Sequence, residues 1–308
     1  MDQKILIKRI LNLKQEKNAI ILAHYYQDPS IQEIADFVGD SLGLSHKAKK
    51  TEANIIVFAG VHFMAETAKI INPEKKVILP DMDAGCSLSE SCPADKFKEF
   101  IKNHPNHTVI SYINCSTEIK ALSDIICTSS NALRVINSVP KEREIIFAPD
   151  KNLGAYLARK SGRELVLWDG TCIVHQEFSE TKIETLKKEH PSSKVIAHPE
   201  CTSYILDYAD FIGSTTALLD FTRSDKSQVF IVATEACLLY QMRKRSPEKE
   251  FIVAPVVSSC SACQQCPYMQ KNTLEKLYQC LKNESPEIII EEKLRNKAYI
   301  SVQKMMKI

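Results

Sequence analysis

Nine short, almost unbroken apolar runs are spread along the chain: AIILAHY (19–25), NIIVFAG (54–60), KVILPDM (76–82), HTVISYI (107–113), EIIFAPD (144–150), ELVLWDG (164–170), SKVIAHP (193–199), QVFIVAT (228–234) and EFIVAPV (250–256). They are rich in β-branched residues and alternate with stretches of helical periodicity. Fully apolar strands separated by helices are the signature of parallel sheets covered on both faces. At the start of the chain, Ile5, Leu6, Ile10, Leu11 and Leu13 recur at helical spacing among Lys and Arg. This predicts an amphipathic helix docked on the fold rather than a signal peptide.

The apolar pattern repeats three times. IADFVGDSLGL (34–44), LSDIICTSSNAL (122–133) and YADFIGSTTALL (208–219) each carry an Asp, a mostly apolar triplet and a turn of small residues entering a helix. Asp36, Asp124 and Asp210 are 88 and 86 residues apart. The expected architecture is α/β, with three pseudo-symmetric domains around a central active site, each a four-stranded parallel sheet in an α/β/α sandwich. The expected units are 1–85, 86–171 and 172–266, with the C-terminal segment 267–308 packing on the first.

Ligands of open parallel sheets bind beyond the carboxyl ends of the strands, where loops and helix N-termini converge. Twelve residues before each repeat's Asp stand His24, Tyr112 and His198, each closing a first strand. Two residues further on come Tyr26, Asn114 and Glu200, and five after each Asp come Ser41, Ser129 and Thr215. Any single hydroxyl here can be read as a helix N-cap, and any single polar residue as a strand terminator. Three repeats placing the same chemistry at the same edge point instead to a shared site, and hydroxyls at helix N-termini suit anions.

Eleven cysteines, an odd number, with no signal peptide, argue against a disulfide scaffold and for metal ligands or reactive thiols. Cys127 and Cys237, in apolar surroundings, read as buried small hydrophobes. Cys86 lies 50 residues after Asp36, Cys172 lies 48 after Asp124, and Cys260 and Cys266 lie 50 and 56 after Asp210. One thiol per unit therefore leaves the same sheet edge, and spacing alone prefers Cys260 as the third. The competing reading is a metal site complete within CSACQQC (260–266). A ferredoxin-type run would need a fourth Cys where Gln270 stands, and Pro267 follows Cys266 at once. Three thiolates from three loops suit an iron–sulfur cluster better than zinc, which in structural sites takes four closed ligands.

Charge narrows the partners. Forty basic and 38 acidic residues are mixed along the chain, with no basic stripe for nucleic acid and no run long enough to span a membrane. A cytoplasmic protein with small-molecule substrates is expected.

AHYYQD, ADFVGDSLGLS, GVHFMAETAKI, DMDAGCSL, SYINCS, GTCIVH, HPEC, GSTTAL and CPYM, in this order, resemble the quinolinate synthase family over essentially the whole chain. The resemblance implies one [4Fe-4S] cluster at the centre of a pseudo-threefold protein. The implied reaction condenses iminoaspartate with dihydroxyacetone phosphate to give quinolinate in NAD biosynthesis. The implied cluster ligands are Cys86, Cys172 and Cys266, the last because it directly precedes Pro-Tyr-Met. Implied substrate contacts are His24, Tyr26, Ser41, Tyr112, Ile113, Asn114, Ser129, His198, Pro199, Glu200 and Thr215, with Ile113 and Pro199 acting through backbone. Glu200, with His198 beside it, is the expected base, while His24 and Tyr26 serve the triose side. His175, three past Cys172, is either a supporting group or a structural histidine, and His46, His104, His107 and His190 read as surface residues. A possible functional partner is L-aspartate oxidase or aspartate dehydrogenase. A redox sensor and a zinc-stabilised structural protein are the rival readings, and Cys260 with Cys263 are either idle or a redox pair.

Overall fold

A computed structural model describes residues 2–258 and 261–308. Among the described residues, twelve strands form three separate sheets. The first contains β1 (Ala19–His24), β2 (Phe37–Gly39), β3 (Ile55–Ala59) and β4 (Lys76–Ile78). The second contains β5 (Thr108–Tyr112), β6 (Ile125–Cys127), β7 (Ile145–Ala148) and β8 (Val166–Leu167). The third contains β9 (Lys194–Ala197), β10 (Phe211–Ile212), β11 (Val229–Ala233) and β12 (Glu250–Val253). Their spatial orders are β2-β1-β3-β4, β6-β5-β7-β8 and β10-β9-β11-β12, the same in each unit, and every named pair is parallel. The nine apolar runs supply first, third and fourth strands. The second strands are the triplets that follow the repeated aspartates.

Those aspartates have a structural task that the pattern alone did not disclose. The Asp36 carboxylate accepts from the Ile21 N–H at 2.8 Å, and the Asp36 N–H donates to the Ile21 carbonyl at 2.9 Å. Asp124 pairs with Val109 in the same way, at 2.8 and 2.9 Å, and Asp210 with Val195, at 2.8 and 2.7 Å. In each unit the aspartate clamps the entry of the second strand to the first strand. This satisfies one backbone N–H and one carbonyl of the first strand in each unit. The triplication is therefore a repeat of fold, marked by a residue of fold.

The strand interiors build the core. Ile21, Leu22 and Ala23 of β1 and Ile56, Val57 and Ala59 of β3 are fully buried, as are their counterparts Ile146 and Phe147 in β7 and Phe230 and Ile231 in β11. Burying one such aliphatic side chain contributes ~2 kcal/mol. The N-terminal helix, Gln3–Glu16, buries Leu6 and Ile10 while Ile5 faces solvent at 51% exposure, so the docked stripe is narrower than the sequence pattern.

The C-terminal segment divides its packing. The helix Leu274–Asn283 lies against the Gln3–Glu16 helix and β3, whereas Glu292–Lys307 lies mainly against the helix Thr117–Leu122 and β6 of the second unit. Between them Ile288 donates its N–H to Val77 at 2.8 Å, closing the otherwise open edge of β4. No helix among the described residues is long and apolar enough to cross a membrane.

The four histidines expected on the surface are half-buried instead. His104 packs on the Phe100 ring at 4.7 Å, and His107 lies 3.5 Å from the Glu144 carboxylate.

Candidate active site

In each sheet the chain leaves the first strand towards one side and returns on the other, so the first and third strands flank a switch point where loops diverge and leave a crevice. The three crevices face a common cavity that is partly open to solvent.

His24 and Tyr26 reach it from the end of β1, Tyr112 and Asn114 from the end of β5, and His198 and Glu200 from beyond β9. Ser41, Ser129 and Thr215 line it too, as do Cys86, Cys172 and Cys266. Ile113 and Pro199 are not on its wall. The Ile113 N–H is committed to the Cys127 carbonyl and its own carbonyl accepts from Cys115, both at 2.8 Å.

The hydroxyls are not helix caps. Ser41 and Thr215 are the first residues of the helices Ser41–Lys50 and Thr215–Ser224, whose caps are Asp40 and Ser214. Ser129 sits in the turn before Ala132–Ser138 rather than at the helix start. One carboxylate gathers these three elements. Asp40 Oδ1 accepts from the Gly43 N–H at 2.8 Å, while Oδ2 accepts from Ser130 Oγ and Thr216 Oγ1, both at 2.7 Å.

At the other side of the cavity the polar groups form one connected network. Tyr112 donates its hydroxyl to Glu200 Oε1 at 2.6 Å, and His175 Nδ1 lies 2.9 Å from Glu200 Oε2. The His175 ring stacks on His198 with centroids 4.8 Å apart, and His24 meets Tyr26 edge-on at 4.5 Å. Burial pushes His24 down to about 4, against the pull of Asp40 and Glu200, and pushes His198 down to about 3. Both rings are therefore neutral at pH 7. Burial raises the Tyr26 and Tyr112 phenols as well. For Glu200 burial acts upward too, but His198, His175 and Tyr112 outweigh it and hold the carboxyl below the ordinary carboxylate range. A neutral His198 offers Glu200 no charge, so the hydrogen bonds from His175 and Tyr112 are the part of that stabilisation that persists.

The three thiols come from three different loops. Cys86 precedes the helix Ser87–Ser91, Cys172 follows β8, and Cys266 precedes Pro-Tyr-Met. Backbone N–H groups lie against each sulfur: Leu88 and Ser89 at Cys86, His175 at Cys172, and Tyr268 and Met269 at Cys266. Burial raises all three thiols, Cys266 to about 11; Cys86 and Cys172 also stand in the field of the other thiols, and Cys266 in that of Glu235 and Glu200. A soft cation would relieve both effects by holding them as thiolates. By contrast Cys92, Cys115, Cys127, Cys201, Cys237 and Cys280 are buried small hydrophobes. Cys263 is half-buried and packs against the third unit's core. Cys260, preferred by spacing, lies outside the described residues, and so does its pairing with Cys263.

Sequence reasoning missed three buried groups. Asp40 lines the cavity, Thr234 lies behind it, and Glu235 lines it next to Cys266. The Glu235 carboxylate accepts from the Cys237 N–H at 2.8 Å and the Cys266 N–H at 3.2 Å, and burial pushes it up to about 8 despite those donors. The available signal was the repeat itself: Glu235 and Asp150 each stand two residues past a third strand, acidic residues at an apolar edge.

A family model described as Quinolinate synthetase A protein matches residues 8–307. The quinolinate synthase of Microcystis aeruginosa is 59% identical over 301 residues, covering 98% of this chain and 94% of that protein. That of Trichodesmium erythraeum is 57% identical over 303 residues, with 98% and 94% covered. That of Chloroherpeton thalassium is 56% identical over 308 residues, with 100% and 96% covered. With the family's motifs matched from end to end and its polar residues gathered on one cavity, the chain belongs to the quinolinate synthetase A family and is an enzyme.

Proposed function

We propose that this enzyme condenses iminoaspartate with dihydroxyacetone phosphate to give quinolinate, inorganic phosphate and two waters, in the cytoplasm, with a [4Fe-4S] cluster on Cys86, Cys172 and Cys266. The single observation that carries the reading is one thiol from beyond the last strand of each sheet on the cavity that also holds Glu200, His24 and His198. The donor set fits the group: three soft sulfurs with N–H groups against them leave one corner of a cubane cluster without a cysteine. When bound, such a cluster supplies an open iron that acts as a Lewis acid.

The protein's own groups divide the remaining work. Glu200, ionised and held by Tyr112 and His175, is the base that takes a proton from carbon during tautomerisation and elimination. His198, neutral beside it, donates or accepts a hydrogen bond at the reacting groups without adding positive charge. His24 and Tyr26, edge to edge, hold the oxygens of the triose. Ser41, Ser129 and Thr215, carried on elements tied together by Asp40, bind phosphate or carboxylate and fix the approach of the two substrates. Iminoaspartate comes from an aspartate-oxidising enzyme, an oxidase or a dehydrogenase.

Anaerobic purification tests the reading. The expected protein is brown, absorbs near roughly 400 nm, holds about four irons and four sulfides per chain, and forms quinolinate from freshly made iminoaspartate and triose phosphate. A colourless protein holding one zinc, or a loaded protein that forms no quinolinate, would overturn it.

A further inference from the structure

The three thiol-bearing loops share one backbone anchor. Three residues past the third strand of each sheet, an N–H donates to the carbonyl two residues before the thiol: His62 to Ala84 at 2.7 Å, Lys151 to Gly170 at 2.9 Å and Ala236 to Gln264 at 2.9 Å. The shared bond makes Cys86, Cys172 and Cys266 equivalent in the fold. The loops differ in length, because Cys86 stands eight residues past Ile78, Cys172 five past Leu167 and Cys266 thirteen past Val253. A longer loop leaves its tip more freedom and costs more entropy to hold in one place.

The residue just before each of those donors differs between units: Val61, Asp150 and Glu235. Val61 offers no polar side chain. Asp150 caps its own helix, accepting from the Leu153 N–H at 2.7 Å. The Cys172 N–H faces its carboxylate without closing a bond, and Asp150 Oδ2 has no partner among the described residues. Of the three, only Glu235 closes a bond to the thiol residue itself. Fully buried, it accepts from the Cys266 N–H at 3.2 Å through Oε1 and from the Cys237 N–H at 2.8 Å through Oε2. Both oxygens are thus engaged as acceptors. The longest loop therefore has a second anchor to the end of β11, placed on the ligand's own backbone.

We propose that Glu235 is a positioning residue for the metal centre: its carboxylate ties the Cys266 backbone to the end of β11 and so holds the third sulfur on the cavity. It acts through Cys266 and, although it lines the cavity, takes no part in proton transfer. A buried group that orients a ligand governs how firmly that ligand keeps its metal. The inference rests on the reading above, in which Cys266 is a cluster ligand.

Glu235→Gln keeps the shape but turns one oxygen into an amide nitrogen, which confronts an N–H instead of accepting it. Anaerobic holoprotein is mixed with a ferrous chelator, and iron release is followed beside thermal unfolding and the EPR spectrum of the reduced cluster. Release from Glu235→Gln should be ~10-fold or more faster than from the parent, with a changed spectrum. Asp210→Ala is the control, since Asp210 ties backbone in the same unit without touching a thiol loop. It should lower the thermal midpoint yet release iron at the parental rate. Parental release from Glu235→Gln, or equally fast release from Asp210→Ala, would overturn the inference. A fall in kcat with release and spectrum unchanged would mark Glu235 as a proton carrier and overturn it too. Should Glu235→Gln not fold, Glu235→Asp keeps both acceptors on a side chain too short to span both N–H groups, and is read identically. Where Cys266→Ser has lost its iron, each of these failures concerns Glu235 alone. Iron retained in Cys266→Ser would overturn the ligand assignment and this inference with it.

Discussion

Asp40 and Thr216, 176 residues apart in the chain, share a hydrogen bond of 2.7 Å, and the same Asp40 oxygen also takes the Ser130 hydroxyl at 2.7 Å. One carboxylate of the first unit thus holds a helix of the third and a turn of the second. Its donors are the immediate neighbours of Thr215 and Ser129. Asp40→Ala would leave both hydroxyls without this acceptor and the Gly43 N–H uncapped, a loss of ~2 kcal/mol or more. The expected result is a lower thermal midpoint together with a raised KM for dihydroxyacetone phosphate. Steady-state kinetics on the folded variant separates that reading from a purely structural loss, in which KM would stay put.

The cysteine assignments predict a sharp division. Cys86→Ser, Cys172→Ser and Cys266→Ser should each lose most of the iron and the absorbance near roughly 400 nm. Cys263→Ser and Cys280→Ser should keep both, because Cys263 packs on the third unit's core and Cys280 is buried among the first unit's apolar residues. Iron retained in Cys266→Ser but lost in Cys260→Ser would move the third ligand to Cys260.

Glu200→Gln preserves shape and removes the base. A fall in kcat of ~100-fold or more is expected, with iron content unchanged. Full turnover in this variant would show that another group takes the proton.

Glu284 gives a pH dependence remote from the site. Its carboxylate lies 2.7 Å from Lys17 and 2.8 Å from Lys76, and the hydrogen bond from Lys17, then that from Lys76, holds it down at about 2. A carboxyl depressed on folding adds stability that is fully present above its unfolded value near 4.5 and is lost as pH falls through about 2. The pair is partly exposed, so solvent screening leaves ~0.5–1 kcal/mol. Thermal unfolding of Glu284→Gln against the parent should show a gap of about 1 °C at pH 7. The gap should narrow below pH 4.5. A constant gap down to pH 3 would mean that the charge is not its source.

Much of this protein was written in local pattern. The alternation of apolar strands and helices, the threefold repeat and the equivalence of His24, Tyr112 and His198 follow from residue spacing, because a strand's burial and its carboxyl end are local consequences of which side chains it carries. The repeat also located one thiol per unit, although spacing favoured Cys260 over Cys266. A loop can lengthen without disturbing the sheet it leaves, so spacing beyond the last strand is weak evidence.

Tertiary structure alone decided the rest. The repeated aspartates stood out only as markers of the repeat, and each clamps its own second strand to the first, a role visible only once the 15-residue return is closed. Asp40 and Thr234 did not stand out in the sequence. Each acquires its meaning from partners more than 50 residues away, brought within about 3 Å by the packing of three sheets. A sequence states which groups a unit can offer at its edge. Which of them meet, and in which direction each hydrogen points, depends on how the units close around the cavity, because a hydrogen bond needs its partners within about 3 Å and correctly aligned.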